Sequence, residues 1–169
     1  MTLMKPMCLV RQMIGADMRE MSAEFQQVWL NEEIIRVNQD PLGKQGVRVR
    51  GNASECQVWL RHLDNGNELY VVLFNNGKGS CAPSAPGHAP SRFAGPSQVP
   101  PASNATMQLT WEEIGVPPEC MLSTTELITG VYWGTIQGGL NVSLRPQASA
   151  AFRMHPHCDV PTPPPPLLF

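Results

Sequence analysis

No stretch of the sequence approaches the roughly 20 consecutive apolar residues that cross a bilayer as a helix, so no membrane span is expected. Charge is scarce: Lys, Arg, Asp and Glu make up 15% of the residues, with a net charge of −2. Such a balance gives no electrostatic case for nucleic acid or an anionic membrane as partner. The five cysteines, Cys8, Cys56, Cys81, Cys120 and Cys158, show none of the close pair spacings of a metal site. They read as buried thiols or as one or two disulfides, and neither metal nor cofactor is expected. Met1–Val10 holds one lysine, no long apolar stretch and no small-residue cleavage site, which is not the pattern of a signal peptide. Gly134, Gly138 and Gly139 lack the strand-to-helix context of a phosphate loop. No Ser/His/Asp or Cys/His constellation stands out either.

What is present divides sharply at Asn38-Gln39-Asp40-Pro41-Leu42-Gly43. Upstream, apolar residues recur at helical spacing. Ser22 is a suitable N-cap for Phe25, Val28 and Trp29; Asn31 with Glu32 and Glu33 opens a second piece carrying Ile34, Ile35 and Val37. The spacing predicts two consecutive helical pieces over 22–30 and 31–38. Asp40-Pro41 disfavours further helix, Asp40 is placed to brace the turn, and Gly43 and Gly46 supply backbone freedom for the exit.

Downstream the period changes to two. Val47 with Val49, and Val58 with Leu60, alternate with polar residues as half-buried strands do. Leu69–Phe74 is continuously apolar and reads as a central strand buried on both faces. Met107–Trp111, Ser123–Ile128, Val131–Ile136, Leu140–Leu144 and Ala148–Met154 supply five more strands, with Asp64–Asn67 as a hairpin turn. Short strands at this spacing argue an antiparallel sandwich. Residues 79–103 carry six of the seventeen prolines among Ser, Ala and Gly, and read as a disordered insertion in a hairpin loop. Closure entropy grows slowly with loop length, so the fold tolerates it. From His155 the chain, ending in Pro163–Pro166, reads as an extended tail.

Asp17-Met18-Arg19 followed by Asn31–Gly46, with its NQDPLG run, resembles the end of the catalytic barrel in α-galactosidases (melibiases) of glycoside hydrolase family 27, which includes α-N-acetylgalactosaminidases. The likeness continues through Val58–Leu60, Leu69–Asn75, Thr110–Gly115 and the last strands to about Met154. It implies a mainly β chain: a Greek-key-type antiparallel sandwich over 44–154, preceded over 14–43 by the last strand end and last helix of a truncated (β/α)8 barrel. Residues 1–13 depart from the family pattern.

The resemblance also implies a chemistry. Such enzymes retain anomeric configuration with two aspartates about 5–5.5 Å apart, one a nucleophile and one an acid/base. The family's tyrosine-cysteine-aspartate nucleophile stretch is not found here, nor is that of the acid/base. A complete barrel needs at least about 200 residues, and only about forty precede the β part. Of the aspartates Asp17, Asp40, Asp64 and Asp159, only Asp17 is placed to face a barrel mouth, as a weak substrate-binding candidate or a structural ion pair with Arg19. No catalytic residue is therefore assigned. The chain is expected to be an inactive C-terminal fragment whose partner is the missing barrel, with an α-galactoside as substrate only for the full-length parent. Full-length relatives are secreted, lysosomal or vacuolar.

The alternative is a standalone, non-catalytic sandwich module that binds glycans or partners. Trp59, Trp111, Tyr132 and Trp133 read either as a sugar-stacking platform or as core. His155-Pro156-His157-Cys158 reads as adventitious metal binding at most. Asn52, Asn104 and Asn141 begin glycosylation tripeptides. The stripe of Phe25, Val28, Trp29, Ile34 and Ile35 should pack on a barrel; without one, it favours self-association.

Overall fold

The structure is a computed structural model that describes residues 19–51, 56–63, 68–77, 81 and 104–159. The expectations for residues 1–13, Asp17, Asn52, the Asp64–Asn67 turn and most of 79–103 lie outside the described residues. Among the described residues two short helices come first, α1 (Ala23–Trp29) and α2 (Glu32–Asn38), and eight strands follow: β1 (Val47–Arg50), β2 (Gln57–His62), β3 (Leu69–Phe74), β4 (Ala105–Thr110), β5 (Met121–Glu126), β6 (Tyr132–Gln137), β7 (Gly139–Leu144) and β8 (Ser149–Pro156). A 3₁₀ turn, Glu112–Ile114, links β4 to β5.

The strands form a six-stranded antiparallel sheet in the order β1-β2-β3-β8-β5-β6, faced by the β4-β7 pair. Chain crossings between the sheets give the antiparallel sandwich that the spacing argued, of the Greek-key type that the resemblance implied. Its interior holds Val58, Leu60, Val71, Leu73, Met107, Leu109, Trp111, Leu122, Phe152 and Met154, all buried. Arg50 spans the two sheets. Its guanidinium reaches Glu113 and the Gln108 carbonyl, both at 2.7 Å. Asn75 does the same at the other end, donating to the Leu144 carbonyl at 3.0 Å and accepting from Gly77 N–H.

A second apolar layer lies on the outer face of the large sheet. Ile34 and Val37 of α2 pack with Tyr70, Val72, Ala151, Leu63 and Leu127, with Val28, Trp59 and Ile128 at the margin. This corrects two expectations. The helical stripe does not wait wholly for a barrel: Ile34, with Val28 at the margin, serves this chain's own sheet, while Phe25 is 54% and Leu30 57% exposed. Strand β2 is not half-buried, because the helices cover its outward side and bury Arg61 to 2% exposure.

The C-terminal boundary also moves. Strand β8 runs to Pro156, His157 N–H donates to the Met121 carbonyl at 2.9 Å, and a Cys120–Cys158 disulfide fixes the end. The segment expected to be a tail from His155 is thus ordered through its first residues by pairing with β5. A second disulfide joins Cys56 to Cys81, anchoring one residue of the Pro-rich insertion beside β2.

Asn31 links the helices to the sheet. Its side-chain oxygen caps α2 by accepting from Ile34 N–H at 3.1 Å, and its amide donates to the Leu127 carbonyl at 2.6 Å. Replacing it with Ala removes a cap and a tertiary hydrogen bond, for an expected loss of about 2 kcal/mol in urea unfolding. Asn31→Asp should restore only the cap. Equal stability of all three proteins would show that the helices do not depend on this residue.

Candidate functional site

The NQDPLG run forms the corner between α2 and β1. Gln39 closes the helix, its N–H donating to the Ile35 carbonyl at 2.9 Å. The Asp40 carboxylate accepts from Leu42 N–H and its carbonyl from Gly43 N–H, both at 3.2 Å. Asp40 therefore braces the turn as its sequence position indicated. Gly43 adopts φ 62°, whereas Gly46 keeps ordinary backbone and is buried instead.

Beside this corner lies an open groove of about 480 Å³ lined by Glu32, Ile35, Arg36, Gln39, Asp40, Pro41 and Glu68. Its charges are largely spent on one another: Arg36 holds Glu68 at 2.8 Å, and Glu33 nearby holds Arg153 at 2.6 Å. Arg61 lies buried beneath. Burial pushes its guanidinium pKa down, while Asp40 and the Tyr70 phenol pull it back. Burial also pushes the Tyr70 phenol well above its ordinary value, with Arg61 opposing. His62 is lowered by burial and by Lys44.

The described aspartates do not meet. Asp40 serves the corner and Asp159 follows the disulfide-bonded Cys158 at the opposite end of the chain; Asp17 and Asp64 lie outside the described residues. Glu113 is bound to Arg50 and also accepts from Thr110 N–H, and Glu126 accepts from Ile128 N–H, Thr129 N–H and the Thr129 hydroxyl. Among the described residues no three His, Cys, Asp or Glu side chains gather as metal ligands. Cys158, one of the donors in His155–Cys158, is committed to its disulfide.

The aromatic quartet separates. Trp111 is core, and Trp59 sits at the margin under the helices, its indole N–H donating to Gln57 at 2.9 Å. Tyr132 and Trp133 remain exposed, at 59% and 41%. Around Tyr132 the structure assembles a cluster that sequence reasoning missed. Ser123 meets His157 Nε2 at 2.7 Å and Thr135 at 3.3 Å; the Tyr132 hydroxyl lies 3.0 Å from Thr135 and 3.4 Å from Ser123. The sequence marks Ser123 only as the start of a strand, and His157 falls in the segment read as a tail. Asn104 and Asn141 are both exposed, and their tripeptides run side by side through the Thr106–Ser143 pairing of β4 and β7.

A family model described as the alpha galactosidase C-terminal beta sandwich domain matches residues 53–154. Alpha-galactosidase 3 of Arabidopsis thaliana is 46% identical over 65 residues, 37% of this chain and 15% of that protein. Alpha-galactosidase of Coffea arabica is 25% identical over 144 residues, 85% of this chain and 31% of that protein. The chain thus spans less than a third of the length of these relatives. In fold it is similar to the crystal structure of alpha-galactosidase I from Mortierella vinacea, with TM-score 0.63 and 18% identity over 83% of this chain and 30% of that one.

The buried phenol sets a pH limit. The Tyr70 pKa is raised in the folded chain above an unfolded value of about 10, so its contribution is complete below that pH and is lost as pH rises above it. Denaturant unfolding from neutral pH upward should show stability falling beyond pH about 10. Tyr70→Phe should shallow that fall, and an unchanged slope would contradict the assignment.

Proposed function

Because the chain belongs to the α-galactosidase C-terminal β-sandwich family, we propose that it is the trailing part of a retaining glycoside hydrolase acting on terminal α-galactosyl residues, without turnover of its own. One observation supports this reading: in the corner that resembles the family's barrel exit, the aspartate carboxylate accepts from Leu42 N–H and holds backbone. Retention needs two carboxyl groups about 5–5.5 Å apart across the scissile bond. Asp40, Glu33, Glu68, Glu113 and Glu126 are instead tied to structural partners.

Phe25 and Leu30 add support. Phe25 lies on the first helix and Leu30 caps its end, both exposed, while Ile34 and Val37 of the second are buried on the sheet. The helical pair then mediates between the sandwich and a barrel, with an apolar surface on each side. In the chain alone that uncovered side favours self-association.

The purified chain should release no chromophore from a nitrophenyl α-galactoside above the buffer rate. Turnover, above all turnover abolished by Asp17→Asn, would overturn the reading. The two disulfides further support passage through an oxidising compartment, since the cytosol keeps thiols reduced. Chain isolated from cells under thiol-blocking conditions should migrate faster on non-reducing than on reducing gels. Identical migration would remove that inference.

A further inference from the structure

The outward face of β5, β6 and the end of β8 is built around one exposed tyrosine ring, with the exposed imidazoles of His155 and His157 beside it. The β5–β6 ladder pairs Thr124 with Gly134 and then Thr125 with Tyr132, which leaves Trp133 as an extra, bulged residue. Gly134 takes φ 96°, a conformation that L side chains rarely adopt. Regular alternation would put Tyr132 and Thr135 on opposite faces. The bulge puts both outward, while Trp133, still 41% exposed, meets buried Phe152 edge-on at 5.1 Å.

The Tyr132 hydroxyl then reaches along the sheet to Thr135 and Ser123, so the ring lies over the strands instead of standing away from them. His157 holds Ser123 at 2.7 Å and is itself fixed by its N–H bond to the Met121 carbonyl and by the neighbouring Cys120–Cys158 disulfide. His155 stacks edge-on against His157 at 5.5 Å. Exposure of 59% leaves much of the phenol uncovered.

We propose that this face is a binding site for a neutral pyranose of a glycan, stacked on Tyr132 and hydrogen-bonded by Ser123, Thr135 and His157. A pyranose presents an apolar face of C–H groups edged by hydroxyls, and a flat ring beside hydroxyl and imidazole groups is its complement. A single tyrosine supplies rigid contact area at low entropy cost. Three hydroxyls and an imidazole both donate and accept, and none is a fixed charge, which suits a neutral polyol over an anion. Arg153, the nearby fixed cation of β8, is engaged by Glu33. Beside the ring, Met121 and Val131 are exposed at 46% and 52%, still a small apolar patch next to a stable protein interface, which buries on the order of 800 Å² per side. The inference rests on this face of the sandwich and not on the proposed role as the trailing part of a hydrolase.

The test is affinity electrophoresis of the full chain in native gels containing soluble galactomannan. The wild type should be retarded, Tyr132→Ala should lose the retardation, and Tyr132→Phe should keep most of it. A variant that simply unfolds would be exposed by its thermal midpoint. NMR of the wild type with methyl α-galactoside then decides independently, because the chain has only two tyrosines and Tyr70 is fully buried. The Tyr132 ring resonances should shift with sugar while those of Tyr70 stay. Absence of retardation, retardation that survives Tyr132→Ala in a folded protein, or ring resonances unmoved by sugar would each overturn the proposal. So would loss of dimerisation in Tyr132→Ala, which would assign the face to a second copy of the chain.

Discussion

The large sheet carries apolar residues on its inner side and, over β3 and the middle of β8, on its outer side as well, and that distribution dictates the architecture. Inward, Val58, Leu60, Val71, Leu73, Phe152 and Met154 require the β4-β7 pair as a lid. Outward, Tyr70, Val72 and Ala151 would face water were Ile34 and Val37 not laid across them. Covering such surface is favourable at about 25 cal/mol per Å² of apolar area, so two short helices that would not persist alone in water are held in place by the sheet beneath them. Polar groups under that layer follow suit. Arg61 is buried because the helices close over it, and Asp40 and Tyr70 are what temper its desolvation.

The helical head and the sandwich are consequently packed as one unit, with the NQDPLG corner joining them. The fixed charges around it act locally. Arg36–Glu68 and Arg153–Glu33 ring the docked helix at its solvent margin, where such pairs contribute little stability and mainly fix orientation. Arg50–Glu113 is different in kind, since its guanidinium is almost wholly buried and crosses between the sheets. Removing one partner there would leave a desolvated charge.

Local chemistry made much of this fold readable in advance. Ser22 and Asn31 cap the helices they were expected to cap, Leu69–Phe74 is the buried central strand, and the eight strands fall close to where the alternation put them. What could not be read depends on contacts between distant segments. The outward residues of β2 looked half-exposed because nothing in Gln57–His62 announces that a helix will lie over them. The Ser123–His157 contact spans 34 positions and needs β8 to run past Met154 to Pro156, which prolines argue against locally and a disulfide enforces globally. Exposure of Tyr132 and Trp133 follows from a bulge at an edge, and no periodicity marks a bulge before the pairing is known.

Both margins of the six-stranded sheet carry an irregularity, between Arg48 and Arg50 in β1 and at Trp133 in β6. A straight outer strand offers a template on which a foreign strand can grow, the first step toward fibrils. Here the short, arginine-bearing β1 and the kinked β6 each interrupt the row of free amides and carbonyls. The same distortion that lays a tyrosine flat also makes the β6 edge a poor template for an added strand.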